Sequence, residues 1–448
     1  MSFSLTIDQV ITLAPDEGSL KAGRALADGR KWSALASDES LAWGECQGSG
    51  AKPYQTCVDL REIAFKCTCP SHKFPCKHGL GLLLLFVGDK ALFSRSTPPD
   101  WVAAWSLARQ ARAEKKTQRA PETAKPVDRE AQAKRVAKRE QKVDDGIADL
   151  NRWLQDVVRH GLADLQSKPY QFWEGQAARL VDAQAPGLAR MVRDCAGSAS
   201  SGALWQERLL SRLARIYLLT EAFVRIDQLP NELAAEVRNL IGFTVPQEDV
   251  LAGETIRDKW HVVGQSVETD DRLKTQRNWL IGQNSQRSAL VLAFAYGNAF
   301  FDTNLVAGTV VDAELVFYPG AAQMRALVKS RHGQSAPFAD IPCRSGGVNS
   351  VSKVWSAALA QNPWTVLYPI AISAVRPVPI DGGRTWELQD EFGLALKMNA
   401  ARDVAWGIMA FGGGASLSVF GEWNGTGLLP LSVSDGQRFL RCNAVMVK

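Results

Sequence analysis

Long apolar runs are missing from this 448-residue chain. The most apolar stretch, Gly79–Val87 (GLGLLLLFV), falls far short of the ~20 residues that a membrane-spanning helix needs. It reads as a buried helix, and no membrane partner is expected. A secretory leader is missing as well, since MSFSLTIDQV has neither a basic start nor an apolar stretch with a cleavage site. Both absences point to the cytoplasm. Histidine is scarce, at five residues, which leaves little acid–base material outside one cluster. The common catalytic signatures are also absent: there is no G-x-x-x-x-G-K-[ST], H-E-x-x-H or G-x-S-x-G, and no deaminase H-x-E with P-C-x-x-C. Gly412-Gly413-Gly414 lacks the strand-then-helix setting of a dinucleotide loop and reads as a hairpin turn. Asp144-Asp145 and Asp270-Asp271 read as turn or cap residues. His160, followed by Gly161, falls in a helix C-cap region, His261 in a strand and His332 in a Gly/Ser loop. None of the three has a nucleophile paired with it in the sequence. No catalytic residue and no organic cofactor are assigned. The chain reads as a non-enzyme, with an unidentified activity in residues 246–448 as the alternative.

Cysteine is present but not in the pattern of a disulfide framework. Three of the eight cysteines fall within ten residues, in a long chain without a secretion signal, and such a cluster is more often metal-binding or catalytic. Cys46, Cys57, Cys195, Cys343 and Cys442 are scattered and read as small buried hydrophobes. The cluster lies in Phe65–Leu85, FKCTCPSHKFPCKHGLGLLLL, as Cys67-x-Cys69, six residues, then Cys76-x-His78. A structural zinc ion takes four ligands in a tetrahedron and prefers thiolate and imidazole, and Cys₃His is one of its standard sets. On an extended segment, positions i and i+2 face one side, so Cys67 and Cys69 converge from a strand end. Pro70, Ser71 and Pro75 suit the reversal that brings the second pair back. His78 falls in the first turn of the Leu-rich helix, whose N-terminus favours nearby thiolates. With four good ligands, no open position remains for catalytic water, so the zinc is expected to be structural. His72 lies between the pairs, but the set is complete without it, and it is expected to face solvent or a partner. Lys66, Lys73 and Lys77 surround the site and either offset the thiolate charge or contact phosphates.

The pattern of C-x-C, a short loop and C-x-H, between strands and a helix, resembles the SWIM zinc finger, and the wording CPSHKFPCKHGLGLLLL is similar to its bacterial members. The lead-in with Tyr54 and the Trp101/Trp105 segment fit the same resemblance. It implies that Cys67, Cys69, Cys76 and His78 are the zinc ligands. It also implies DNA or protein binding, with AAA-type ATPases and von Willebrand A-domain proteins as partners.

The net charge of +5 is unevenly spread. Residues 107–143 hold 12 Lys/Arg against 5 Asp/Glu, which makes this segment +7 and the remainder −2. The segment has no aromatics and contains Pro121 and Pro126, so it reads as a basic linker with fraying helix over Arg129–Val143. At ~150 residues per domain, the length corresponds to about three domains. Leu41–Leu60 reads as two strands with a turn between them, Ile63–Lys66 as a third and His78–Val87 as a helix. Ile147, Leu150, Leu154, Val157 and Val158 lie at helical spacing, a second helix covers Ala203–Ile226, and a third opens at Pro230 with Asn231 as N-cap. Beyond 250, Trp260–Val267, Ala289–Tyr296, Val310–Tyr318, Trp364–Ile372 and Val404–Phe411 read as strands, the last forming a hairpin with Ala415–Trp423.

The expected fold is multidomain α+β: a small N-terminal ββα-type zinc module with flanking strands and helix (1–105), a basic linker (106–146), a helical middle region (147–245) and a mainly β C-terminal domain (246–448). The expected function is a zinc-binding protein whose finger serves as a protein-interaction and/or DNA-binding module. The alternative is a sequence-nonspecific nucleic-acid binder using residues 107–143.

Overall fold

The structure, a computed structural model, describes residues 5–442 apart from positions 12, 49–51, 72, 119–128, 200–201, 203, 271, 298–300, 302–304 and 344–345. The chain begins with two helices, α1 (Ile7–Ile11) and α2 (Glu17–Leu26). Asp16 caps α2 by accepting from the Ser19 N–H at 2.7 Å. Then come β1 (Trp32–Ser37), β2 (Leu41–Cys46), β3 (Tyr54–Asp59) and β4 (Ala64–Cys67), followed by α3 (Lys77–Gly88), β5 (Ser94–Arg95) and α4 (Asp100–Gln118). The five strands form one sheet in the order β4-β3-β2-β1-β5, antiparallel except for β1–β5. The expected hairpin is present, in a register that runs from Leu41↔Asp59 to Cys46↔Tyr54. Helix α3 buries Leu82, Leu83, Leu84 and Leu85 in the core of this module. Helix α2 crosses α3 at small residues. A Cβ on Gly81 would stand 2.7 Å from Leu26 Cβ, and one on Gly23 would stand 2.9 Å from Leu80 Cβ. The glycines of the apolar run are thus what lets a second helix approach.

Five helices follow: α5 (Arg129–His160), α6 (Tyr170–Asp182), α7 (Pro186–Ala199), α8 (Trp205–Val224) and α9 (Asn231–Ile241). Ile147, Leu150, Leu154 and Val157 of α5 are all buried against Trp173, Leu188, Leu209 and Leu213. Helix α5 runs unbroken from inside the basic segment into this bundle, because 129–143 is rich in good helix formers and contains neither Gly nor Pro. Gly161, at φ +85°, ends it, as expected next to His160. Helix α9 differs from expectation in its cap: Pro230 takes the N-cap position without a side-chain bond, and Asn231 is the first helical residue.

A short helix α10 (Gln247–Leu251) leads into β6 (Thr255–Asp270), β7 (Leu273–Gly282), β8 (Ser288–Tyr296), β9 (Thr309–Phe317) and β10 (Arg325–Pro337). These strands close into a barrel in the order β10-β8-β7-β6-β9, around Trp260, Val262, Leu280, Val291 and Leu315. The last unit contains α11 (Asn349–Gln361), β11 (Tyr368–Ile380), β12 (Thr385–Asp390), β13 (Ala395–Met398), α12 (Arg402–Gly412), β14 (Leu417–Trp423), β15 (Leu428–Ser434) and β16 (Phe439–Arg441). Its sheet has the order β13-β12-β11-β14-β15-β16. The barrel wall at Val263, Trp279 and Ile281 packs on Ala371, Phe420 and Leu431 of this sheet.

The chain is therefore α+β as expected: a strand–helix module, a helical middle and C-terminal β sheets. Four expectations fail in detail. Val404–Phe411 is a helix, not a strand, and it buries Ala405 and Ile408 at a helical step of three. Gly413, at φ +55°, caps that helix by donating its N–H to Met409 O, so the triple glycine is a helix stop and not a hairpin turn. Trp364 lies outside β11, with its indole N–H donated to Arg215 O at 3.0 Å, and serves the helical core. His332 sits within β10 and not in a loop, with Nε2 3.1 Å from Glu314 Oε1. No helix among the described residues is long and apolar enough to cross a membrane.

Candidate metal centre

Strand β4 ends at Cys67, whose register partner on β3 is Thr56, and the extended backbone continues as Thr68 donates to Gln55 O at 3.1 Å. Cys67 and Cys69 therefore leave the sheet edge on one side. The chain then turns back, with the Lys73 N–H donated to Ser71 Oγ at 3.2 Å. It arrives at Cys76, the N-cap of α3, whose Sγ accepts from the Gly79 N–H at 3.4 Å. His78 stands in the first turn and is 4% exposed. Gly79 is required here, because a Cβ would press to 2.9 Å from Phe65 on β4. The helix start is thus laid directly against the strand that carries the first cysteine pair.

The three sulfurs and one imidazole nitrogen lie within 4.8 Å of one another. His78 Nδ1 is 3.7 Å from Cys67 Sγ and 4.0 Å from Cys76 Sγ. Bonds of ~2.3 Å to sulfur and ~2.0 Å to nitrogen give a tetrahedron with edges of roughly 3.5–3.8 Å, so the spacing fits one zinc ion. The Tyr54 ring, 4.9 Å from the His78 ring, holds the imidazole in place. Thr56 Oγ1 lies 3.3 Å from Cys67 Sγ.

The protonation chemistry suits a cation as well. The Cys67 thiol is pulled down to about 4, first because Cys76 hydrogen-bonds to it, and also through His78, Thr56 and the Cys69 N–H, against the cost of burial. Cys76 is pushed up by that same bond to Cys67, by burial and by the Cys67 charge. Cys69 is pushed up mainly by burial. Thiols packed this closely ionise one at a time unless a positive ion stands among them. When bound, zinc supplies that charge and closes the loop onto the sheet.

The structure brings Cys67, Cys69, Cys76 and His78 together. His72 lies outside the described residues. The other five cysteines are free thiols and lie elsewhere. Burial pushes Cys343 up to about 11 and Cys195 and Cys442 to about 12, and it also raises Cys46 and Cys57. Cys46, Cys57, Cys195 and Cys442 are buried and Cys343 is half-buried. Among the lysines around the site, Lys66 Nζ donates to Trp101 O at 3.3 Å and Lys73 pairs with Asp16 at 2.9 Å. Sequence reasoning missed Thr56 as a support of the site. Its alternation with Tyr54 on β3, which puts both on one face, is the signal that could have shown it.

Comparison with known proteins agrees with this geometry. Residues 66–86 match the family model of the SWIM zinc finger, and residues 138–241 match that of the SWIM-associated four-helix bundle domain. No curated protein and no solved structure matches the chain.

Proposed function

We propose that this chain, built on a SWIM zinc finger and the bundle associated with it, is a non-enzymatic interaction protein whose finger docks protein partners. The use made of the finger's lysines carries the reading. Two of the three already have partners, Lys66 in Trp101 O and Lys73 in Asp16 at the surface, and this leaves the finger with few unengaged cations for phosphates. Beside it, α4 holds half-buried Trp101 and Trp105 and leaves Leu107 65% exposed, the kind of aromatic and aliphatic group that anchors protein interfaces. AAA-type ATPases and von Willebrand A-domain proteins are the partners proposed, in the cytoplasm. Cross-linking and mass spectrometry on tagged wild-type and Cys76→Ser chains tests this. A partner of either class, lost in the variant, supports the proposal, whereas the same partners on both chains contradict it.

A second reading, nonspecific nucleic-acid binding, rests on the +7 charge of residues 107–143, where Lys138 is exposed. Some five-stranded barrels bind oligonucleotides, although architecture alone does not fix function. Fluorescence anisotropy with duplex and single-stranded DNA, from ~50 to ~200 mM salt, decides it: phosphate contacts give a log–log slope of about −0.9 for each one on duplex. A steep slope that is lost on deleting 107–143 supports this reading. The absence of binding at micromolar protein in low salt rejects it.

A further inference from the structure

Between the N-terminal module and the barrel lies a cleft of about 750 Å³. The turns 38–40 and 59–62 and helix α4 wall it on one side, and Arg331 to Gln334 of β10 wall it on the other. Gln334 Nε2 crosses the junction to donate to Glu39 O at 2.9 Å, so the two walls meet at the rim of the cleft. The size is that of small-molecule sites, roughly 300–1,000 Å³.

The charges of the lining have an unequal fate. Asp38 is used by its own turn, accepting from the N–H groups of Ser40 and Leu41 at 2.7 Å each. Asp59 accepts from the Arg61 N–H at 2.9 Å and faces the Arg61 side chain at 3.6 Å. Glu62 holds Arg109 at 2.6 Å, and Glu39 faces Arg95 at 3.5 Å. Arg331 is the remaining guanidinium of the lining, and no carboxylate among the described residues stands within ion-pair distance of it. Its side chain opens on the cleft and keeps some contact with solvent, yet surrounding protein desolvates it enough to lower its pKa. Glu62 and Asp59 act on Arg331 from beyond ion-pair distance and offset part of that cost, and an anion in the cleft would give the guanidinium a direct partner. The wall is incomplete in two further places, since Arg109 Nε and Gln334 Oε1 are buried without a hydrogen-bond partner. Neither atom is open to the cleft as it stands, so a ligand reaches them only if the side chains turn.

We propose that this cleft binds a small phosphate-type anion, free or as the phosphate of a small ester, with Arg331 as the guanidinium that receives it. The planar fork of Arg331 matches two phosphate oxygens. Arg95, whose long ion pair with Glu39 is exposed on both sides, is weakly committed and available to turn toward the second negative charge, while Arg61 stays with buried Asp59. This site is separate from the finger and does not depend on which partner the finger docks.

Isothermal titration of the full-length, zinc-loaded chain with inorganic phosphate, at ionic strength fixed with chloride, tests the proposal. One saturable site is expected, with sulfate competing and added chloride not. Arg331→Gln should weaken it by about tenfold or more, while Arg159→Ala, on an exposed ion pair of α5, should leave it unchanged. Where the glutamine variant loses its fold, Arg331→Lys decides: several-fold weaker binding supports the site, because an ammonium cannot fork, and unchanged affinity overturns it. No saturable heat up to about 20 mM phosphate, or equal affinity in wild type and Arg331→Gln, overturns it too. A glycerol phosphate titration separates the sources: binding tighter than inorganic phosphate supports the ester form, and equal or weaker binding supports the free anion.

Discussion

Cys76 has two tasks, as a zinc ligand and as the N-cap of α3, and one substitution separates them. Serine is among the best N-caps but a poor zinc ligand, so Cys76→Ser keeps the cap and removes the metal. The variant is expected to lose zinc and, with it, on the order of 10 kcal/mol of folding free energy in its own module. Hydrogen exchange should then speed up across residues 40–90 while α6 to α8 stay protected; a still-protected α3 would contradict this. Asp258 offers a second test at this scale. Burial pushes its carboxyl up, but the N–H groups of Ser285, Asn284 and Lys259 more than offset that, and its pKa falls below 3.8. A lowered folded-state pKa means that the group stabilises the fold above the unfolded value, and that this contribution is lost as pH falls through the folded one. Asp258→Asn should therefore be less stable than wild type at pH 7, by roughly 1–3 kcal/mol, with the gap narrowing toward pH 3 in urea titrations. The four ligands were legible because spacing alone encodes them. Thr56 and Asp258 were not, because their partners are brought to them by strand pairing and by a turn 26 residues away.

Gly23 and Gly81 show what sets the helix-on-helix contact that backs the finger. Gly81→Val would drive side-chain atoms into Leu26 and the Gly23 carbonyl, separating α2 from α3. Overpacking of this kind costs about 1–3 kcal/mol, and because α3 carries His78, zinc affinity should drop in a chelator competition. Unchanged affinity would show that α3 is positioned without α2. The apolar run was readable as a helix because it is too long and too leucine-rich for a strand. Val404–Phe411 was not, since an eight-residue apolar stretch fits a buried strand and a buried helix equally well by pattern. Tertiary placement settled it: α12 lays Ala405 and Ile408 on the last sheet.

At the scale of the whole molecule, a buried ion pair joins the two β units. Glu422, fully buried on β14, takes both Nε and Nη2 of Arg277 at 2.9 Å and the Trp279 indole N–H at 2.8 Å. Removing one partner of such a pair typically costs about 3–5 kcal/mol, so Glu422→Ala should lower the urea midpoint of the C-terminal region while leaving zinc content intact. A midpoint unchanged within error would place the cohesion in the apolar contact around Phe420 instead. Nothing local in the sequence announces this pair, whose members stand 145 positions apart. The same holds for Trp364, which leaves its own sheet to serve the helical bundle. Order along the chain, by contrast, was readable: finger, helices and strands follow one another in blocks of distinct periodicity. One zinc ion, held by Cys67, Cys69, Cys76 and His78, organises the first block. Zinc K-edge X-ray absorption on this chain checks that arrangement. The expected spectrum has three sulfurs at ~2.3 Å and one nitrogen at ~2.0 Å around one equivalent of zinc; a protein that binds no zinc, or a shell completed by water oxygen, would contradict it.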